Sequence, residues 1–262
     1  MPKILITGTS SGFGLATAQA FLEAGWDVVA TMRTPRPELL PNTEKLKILA
    51  LDVTSEESIT KAVEAAGEID ALVNNAGVGM LNVLEGSEMS KVRDLFETNL
   101  FGAIAMTKAV LPQMRERGAG VIVNVSSSVT IKPLPALSVY SASKAALNAF
   151  TESLALEAAL FGVRVRLVLP GSAPSTAFGK NAVARMGMDI PAPYETFVHG
   201  YLNRLRAGTE VTTAEDVVQA VMRAVTDPDA PMKIAAGADA QTLFREAGQS
   251  ESQSVVGPSG HE

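Results

Sequence analysis

Lys3-Ile4-Leu5-Ile6-Thr7-Gly8-Thr9-Ser10-Ser11-Gly12-Phe13-Gly14 is the stretch on which the fold turns. Lys3 to Ile6 reads as a short buried strand. Beyond Gly14, apolar side chains at Leu15, Ala18, Phe21 and Leu22 have the spacing of a helix with one buried face. Strand, glycine loop and helix in that order bring backbone N–H groups and a helix N-terminus against a diphosphate. Gly8, Gly12 and Gly14 lack the β-carbons that would block close approach, and Ser10, Ser11 and Phe13 belong to the same loop. The spacing G-x-x-x-G-x-G is a variant of the dinucleotide fingerprint. A plain turn also needs glycine, but the strand before and the helix after favour nucleotide binding.

The same alternation continues outward. Asp27–Met32, Lys47–Leu51, Ile69–Asn74, Gly120–Val125, Val163–Leu169 and Met232–Ala235 read as further strands, with helical segments around 12–24 and 56–66. The crossover holding Pro35, Pro37 and Pro41 has room for a short helix at most. This β-α-β rhythm predicts an α/β fold: a single-domain, Rossmann-type doubly wound parallel sheet of about seven strands over residues 1–247. Residues 248–262, rich in Ser, Gln, Gly and Glu, read as a flexible polar tail or an arm ordered by a neighbour.

At 262 residues and 47% hydrophobic composition the chain can bury a large core. A net charge of −6 argues against nucleic acid or an anionic membrane as main partner. Without cysteine there can be no disulfide, thiolate zinc site or cysteine nucleophile. No run of about 20 apolar residues is present to span a bilayer, and the apolar start is too short for a signal peptide, so a cytoplasmic location is expected.

In Val139-Tyr140-Ser141-Ala142-Ser143-Lys144 the phenol and the ammonium stand one helical turn apart on one face. An ammonium beside a phenol favours the phenolate and lowers the tyrosine pKa toward the range of neutral-pH proton exchange. Tyr-x-x-x-Lys alone also occurs by chance on surface helices. Two long helices flank the fifth strand. One carries Val92, Leu95, Phe96, Leu100, Ala103, Met106 and Val110, with Asn99 inside the apolar stripe, where an amide must find partners such as a neighbouring backbone. The other carries Leu147, Phe150, Leu154, Ala158 and Phe161 at core or subunit-interface spacing.

Taken together, Thr7-Gly8-x-x-x-Gly12-x-Gly14, Asn74-Asn75-Ala76-Gly77, Asn99, Ser127, Tyr140-x-x-x-Lys144 and Pro170-Gly171 resemble the short-chain dehydrogenase/reductase family in order and spacing, over residues 3 to about 236. The resemblance implies that Ser127, thirteen residues before Tyr140, holds a substrate oxygen, with Ser126 and Ser128 as alternatives. It makes Tyr140 the proton-transfer residue. It also makes Lys144 both the group that depresses the tyrosine pKa and a ligand of the nicotinamide ribose, with Asn99 holding a water that joins Lys144 to solvent. The hydride would come from the nicotinamide. Asp52 would bind adenine beside Val53, with a cap of the helix beginning near Ser55 as its other role. Asn75, Ala76 and Gly77 would pack on the adenosine ribose, and Pro170, Gly171 and Ser172 beside the nicotinamide.

Thr31-Met32-Arg33 ends the second strand without an acid, Arg36 adds a cation, and Ser10 and Ser11 add hydroxyls, which predicts NADP(H) over NAD. The strings Thr-Gly-Thr-Ser-Ser-Gly-Phe-Gly and Val-Ala-Thr-Met-Arg look most like the hydroxysteroid and retinol dehydrogenase branch. Residues 172–208 have the length of that family's substrate lid, and Phe178, Met186, Met188, Tyr194, Phe197 and Leu202 suit a hydrophobic ketone or secondary alcohol. The lid departs from the family where Thr usually stands: Ser175 occupies that place, between Pro174 and Thr176. The family implies a homodimer or homotetramer through the two long helices, with Ala155, Ala158 and Ala159 allowing close approach. A non-catalytic NADP(H)-binding sensor would not need Ser127, Asn99, Tyr140 and Lys144 together. An epimerase or dehydratase usually carries a longer C-terminal substrate domain.

Overall fold

The computed structural model describes residues 1–173, 190–207 and 211–248. Its centre is one sheet of seven strands in the order β3-β2-β1-β4-β5-β6-β7, all pairs parallel. The strands are β1 Lys3–Thr7, β2 Asp27–Met32, β3 Leu46–Ala50, β4 Ala71–Asn74, β5 Gly120–Val125, β6 Val163–Pro170 and β7 Lys233–Ala236. The helices are α1 Gly12–Glu23, α2 Glu56–Ala66, α3 Met89–Phe96, α4 Gly102–Arg117, α5 Ser138–Ala159, α6 Glu195–Ala207, α7 Ala214–Thr226 and α8 Ala238–Glu246. This is the doubly wound sheet read from the sequence.

Strand periodicity explains the two layers. Ile4 and Ile6 point into a core shared with Ala18 and Phe21 of α1 and with Val217 and Val221 of α7. Leu5, between them, points to the other face and packs with Ile59 of α2, Met106 and Val110 of α4, and Leu154 of α5. Ile4, Leu5 and Ile6 are all fully buried. Burying each contributes about 1.5–3 kcal/mol relative to exposure. A strand buried on both faces is apolar without alternation, which is why β1 reads as a continuous run.

The boundaries follow local chemistry. Ser55 caps α2 by accepting from the Ser58 N–H at 3.3 Å. Thr213 caps α7 in a reciprocal box, accepting from the Asp216 N–H at 3.1 Å while the Asp216 carboxylate accepts from the Thr213 N–H at 2.8 Å. β4 begins at Ala71, two residues later than expected, and the Ile69 N–H turns away from the sheet to the Gln113 side chain. The proline-rich crossover holds one short 3-10 turn, Pro37–Leu39.

Two further expectations are corrected. The helix expected across Asn99 is broken by one π turn, Glu97–Phe101, between α3 and α4. Ala155 and Ala158 face the core, leaving Ala159 as the partly exposed member of the three alanines. Of the expected lid residues, Tyr194 precedes α6 and Phe197 lies on it, both exposed, while α6 buries Val198 and Tyr201. Pro174, Ser175, Thr176, Phe178, Met186 and Met188, the Leu202 side chain and the tail beyond Gly248 lie outside the described residues. No helix among the described residues is long and apolar enough to cross a membrane.

Candidate active site

Strand order changes direction between β1 and β4, and a parallel sheet opens a crevice at the carboxyl ends of its strands at such a point. The residues after β1, β4, β5 and β6 all reach it. In the glycine loop, the N–H groups of Gly8 and Thr9 both donate to the Thr31 carbonyl at 3.0 Å, tying β1 to β2. Gly12, at φ +57°, turns the chain into α1 in the left-handed region that favours glycine. Ser11 is the helix N-cap yet makes no side-chain capping bond, so no cap side chain covers the first-turn N–H groups of α1. That uncapped end fits the diphosphate of a dinucleotide.

Gly8 and Gly14 also answer a packing requirement within the protein. A Cβ on Gly8 would lie 2.8 Å from the Ala76 Cα, and one on Gly14 would lie 2.4 Å from both Asn75 Nδ2 and the Gly8 carbonyl oxygen. The space beside them is filled by Asn75 and Ala76 of the chain emerging from β4 and, at Gly14, by the loop's own Gly8 carbonyl. Asn75 latches the loop there, donating from Nδ2 to the carbonyls of Thr7 at 2.9 Å and Gly8 at 3.2 Å. Thr7 Oγ1 accepts from the N–H groups of Asn75 and Ala76 at 3.0 and 2.9 Å. Asn75, expected beside the adenosine ribose, thus uses its amide on the loop itself.

At the adenosine end, Arg33 is exposed just past β2. Arg36 reaches back to donate to the Ser10 carbonyl at 2.6 Å. Asp52 does not cap α2, which Ser55 does; it closes a turn by accepting from the N–H and hydroxyl of Thr54 at 3.0 and 2.8 Å. The Thr54 N–H, then the Thr54 hydroxyl and the Arg33 charge, hold its carboxyl below the usual range against an opposing effect of burial. Val53 is buried against α4, where a Cβ on Gly102 would come within 2.7 Å of Val53 Cγ2.

The chemistry-bearing cluster forms between β5 and α5. β5 ends at Val125 and delivers three buried serines, while α5 brings Tyr140 and Lys144 on one face, both buried. The Ser127 side chain is close enough to the Tyr140 hydroxyl to favour its ionised form. Ser126 is engaged elsewhere, donating to Asn148 Oδ1 at 2.5 Å, and Ser128 begins a 3-10 turn. Asn148 Nδ2 donates to Thr130 Oγ1 at 3.0 Å, and Thr130 in turn donates to the Ser127 carbonyl at 2.8 Å, so Ser127 sits in a braced turn.

Burial pushes the Tyr140 phenol up to about 12, with Ser127 acting against it. Burial also brings the Lys144 ammonium down to about 8. The expected depression of the tyrosine by its lysine is therefore absent from the protein alone. Lys144 Nζ donates to the Val125 carbonyl at 3.0 Å, and burial, opposed only by Ser127, sets the direction of the phenol's shift. Asn99 is buried, as its place in an apolar stripe required. Its Oδ1 accepts from the Val78 N–H at 2.8 Å, and its Nδ2 donates to the Val78 carbonyl at 2.9 Å and to Ser143 Oγ at 3.2 Å. The backbone-bonded role is the one its side chain fills. A Cβ on Gly77 would lie 3.3 Å from Asn99 Oδ1 and 3.6 Å from Lys144 Nζ, so the β4 loop, the π turn and α5 meet at that glycine.

Past β6, the Ser172 N–H donates to Asp239 Oδ2 at 2.6 Å and the Ser172 carbonyl accepts from the Thr212 N–H at 2.7 Å. Sequence reasoning passed over Asn148, Thr212 and Asp239. Asn148 carried a usable signal, lying one turn beyond Lys144 on the same helix face. Thr212 and Asp239 carried none, because their partners are distant in the chain.

The model of the short chain dehydrogenase family matches residues 2–186. A 3-ketodihydrosphingosine reductase of Bacteroides thetaiotaomicron is 40% identical over 207 residues, covering 78% of this chain and 74% of its own. Human retinol dehydrogenase 8 is 35% identical over 248 residues, covering 88% and 79%. Among solved structures, a short-chain dehydrogenase from Streptomyces avermitilis superposes with a TM-score of 0.80 at 35% identity, over 94% of this chain and 92% of the other. One from Burkholderia cenocepacia, in complex with NADP, gives 0.74 at 29% identity over 94% and 92%. A 3-ketoacyl-(acyl-carrier-protein) reductase from Brucella melitensis, complexed with NADH, gives 0.72 at 26% over 89% and 96%. With a matching family model over most of its length and a shared fold, this chain belongs to the short-chain dehydrogenase/reductase family of oxidoreductases.

Proposed function

We propose that the protein is an NADP(H)-dependent oxidoreductase that interconverts a hydrophobic ketone and its secondary alcohol. The observation that carries this reading is the buried Tyr140 phenol at the buried Ser127, with Lys144 one turn away on the same helix and likewise buried. Two hydroxyls side by side can hold one carbonyl oxygen. A phenol raised to about 12 is protonated at neutral pH, the form that gives a proton to that oxygen as the carbonyl carbon is reduced. In the reverse direction Tyr140 accepts the proton of the alcohol. Lys144 adds a donor beside the pair, and Asn99 fixes Val78 behind it. A bound nicotinamide supplies or accepts the hydride.

The cofactor preference rests on charge. Arg33 and Arg36 follow β2, and no acid stands there to repel a 2′-phosphate. One relative solved with NADP and another with NADH mark the two choices within the fold. A lipophilic substrate is favoured by the names of two relatives, which specify retinol and a ketosphingoid base, and by Tyr194 and Phe197 exposed beside and on α6. We also place a homodimer or homotetramer contact on the exposed Leu156, Leu160 and Phe161 at the end of α5, with a cytoplasmic location. A sedimentation profile with only a 27.4 kDa species would contradict the contact.

Purified protein is assayed with NADPH and NADH against long-chain 3-ketones, ring ketones and aryl ketones. NADPH consumption with a lipophilic ketone, and a kcat/KM preference for NADPH that Arg33→Asp erases, are expected. An NADH preference in the wild type overturns the cofactor choice, and silence across the panel with NADPH binding intact overturns the enzyme reading.

A further inference from the structure

Four residues that sequence reading never linked meet behind the Pro170-Gly171-Ser172 turn. Asp239, in the first turn of α8, accepts from the Ser172 N–H through Oδ2 at 2.6 Å, and its Oδ1 lies 2.7 Å from the Thr212 hydroxyl. Thr212 Oγ1 accepts from the Gly171 N–H at 2.8 Å and lies 2.8 Å from the Ala236 carbonyl, a second acceptor for its single proton. The Thr212 N–H donates to the Ser172 carbonyl at 2.7 Å. Both backbone groups of Ser172 and the N–H of Gly171 are therefore fixed by residues at least 40 positions further along the chain.

Two glycines make the arrangement possible. A Cβ on Gly171 would lie 2.1 Å from Asp239 Oδ2, and one on Gly237 would lie 2.2 Å from Thr212 Oγ1. Gly237 also sits at φ +96°, in the region that side chains rarely adopt. Thr212 is fully buried, although it belongs to a connection between elements, where a threonine is usually wet. A buried hydroxyl and a carboxylate converging on two consecutive N–H groups form a built site whose occupant is the protein's own backbone.

We propose that Asp239 and Thr212 are positioning residues that clamp the turn after β6, and that this clamp sets the nicotinamide-side wall of the cleft. The proposal rests on the reading that Pro170, Gly171 and Ser172 flank the nicotinamide. Neither residue touches reacting atoms; each acts through the turn it holds. A charge-assisted bond from an N–H to a carboxylate is stronger than a neutral one. Asp239→Asn should therefore keep part of the clamp, since its amide oxygen can still accept, whereas Asp239→Ala should release it.

The test compares the wild type with Asp239→Ala, Asp239→Asn, Thr212→Val and Thr212→Ser, using two readouts. Amide hydrogen exchange reads the clamp directly. In Asp239→Ala the Ser172 amide should exchange about tenfold faster or more, and in Thr212→Val the Gly171 amide, which keeps a longer 3.3 Å bond to the Ala236 carbonyl, should exchange faster by a smaller factor, while the amides of β1 are unchanged. Thr212→Ser should restore protection. Unchanged protection at Ser172 and Gly171 overturns the clamp, and so does a loss of protection spread equally through β1. Binding reads the consequence. The affinity of NADPH divided by that of its nicotinamide-free fragment, 2′-phospho-ADP-ribose, should fall about tenfold in Asp239→Ala and less in Asp239→Asn. If the wild type binds fragment and dinucleotide equally, the nicotinamide reading fails. If the wild type discriminates and Asp239→Ala discriminates as well, the positioning role fails.

Discussion

Replacing Lys144 with methionine should make the protein more stable and leave it without function. The ammonium is buried, held by one hydrogen bond to the Val125 carbonyl, and has no carboxylate among the causes that shift it. Its pKa falls from the ordinary 10.5 to about 8 on burial. Each pKa unit corresponds to about 1.4 kcal/mol, so the buried charge opposes folding by about 3 kcal/mol at neutral pH. Methionine fills nearly the same volume without charge and forfeits the bond to the carbonyl, about 1 kcal/mol. A net gain of about 2 kcal/mol, or roughly 5 °C in Tm for a chain of this size, is expected at pH 7. The sign carries a pH signature. A lysine with a depressed folded pKa destabilises fully below about 8, and the unfolded chain binds the extra proton between about 8 and 10.5. The advantage of Lys144→Met over wild type should therefore shrink across that window and vanish above it, with Tyr140 common to both proteins. Thermal and urea unfolding at pH 7, 9 and 10.5, followed by circular dichroism, measure it. A variant no more stable than wild type at pH 7, or an equal advantage at every pH, refutes the reasoning that burial dominates this lysine.

Tyr140→Phe should lower kcat by about 100-fold or more while NADPH affinity changes little, and retention of a tenth of wild-type turnover argues against the phenol as proton donor. Gly14→Ala places a methyl group about 2.4 Å from two polar atoms; it should cost about 1–3 kcal/mol in urea unfolding and weaken dinucleotide binding, and a neutral outcome would mean that the Asn75 latch yields freely. Thr213→Ala removes the hydroxyl half of the α7 capping box and should cost about 1 kcal/mol, with hydrogen exchange accelerating first at the Asp216 amide.

What was legible in the sequence was whatever depends on near neighbours. β1 and β5 announced themselves because strands buried on both faces must be apolar throughout, and Tyr140 and Lys144 because one helical turn separates them. The π turn at Glu97–Phe101 left no such mark. One extra backbone residue per turn rotates Asn99 toward Val78 without changing composition, so periodicity shows an odd polar residue but not the bulge. The packing demand on Gly8 and Gly14 was hidden because a sequence cannot display that Ala76 and Asn75 fill the space beside them. The inverted tyrosine shift was hidden for a related reason. Spacing brings a cation near a phenol, but burial, a property of the whole fold, decides which effect prevails. Thr212 and Asp239 were invisible because their bonds span 41 and 67 residues.

The order of the strands has a consequence for how the molecule is made. Beginning with β1, every later strand joins an open margin of the sheet already present: β2 and β3 extend it one way, then β4 to β7 extend it the other way in sequence. No strand has to be threaded between two that are already paired, so a nascent chain leaving the ribosome N-terminus first could lay down the sheet strictly by accretion. Until Thr212, and then the last strand and its helix, emerge, however, the amides of Gly171 and Ser172 must find water instead, so a ribosome-stalled intermediate would bring Tyr140 and Lys144 to the end of β5 before the turn after β6 is held.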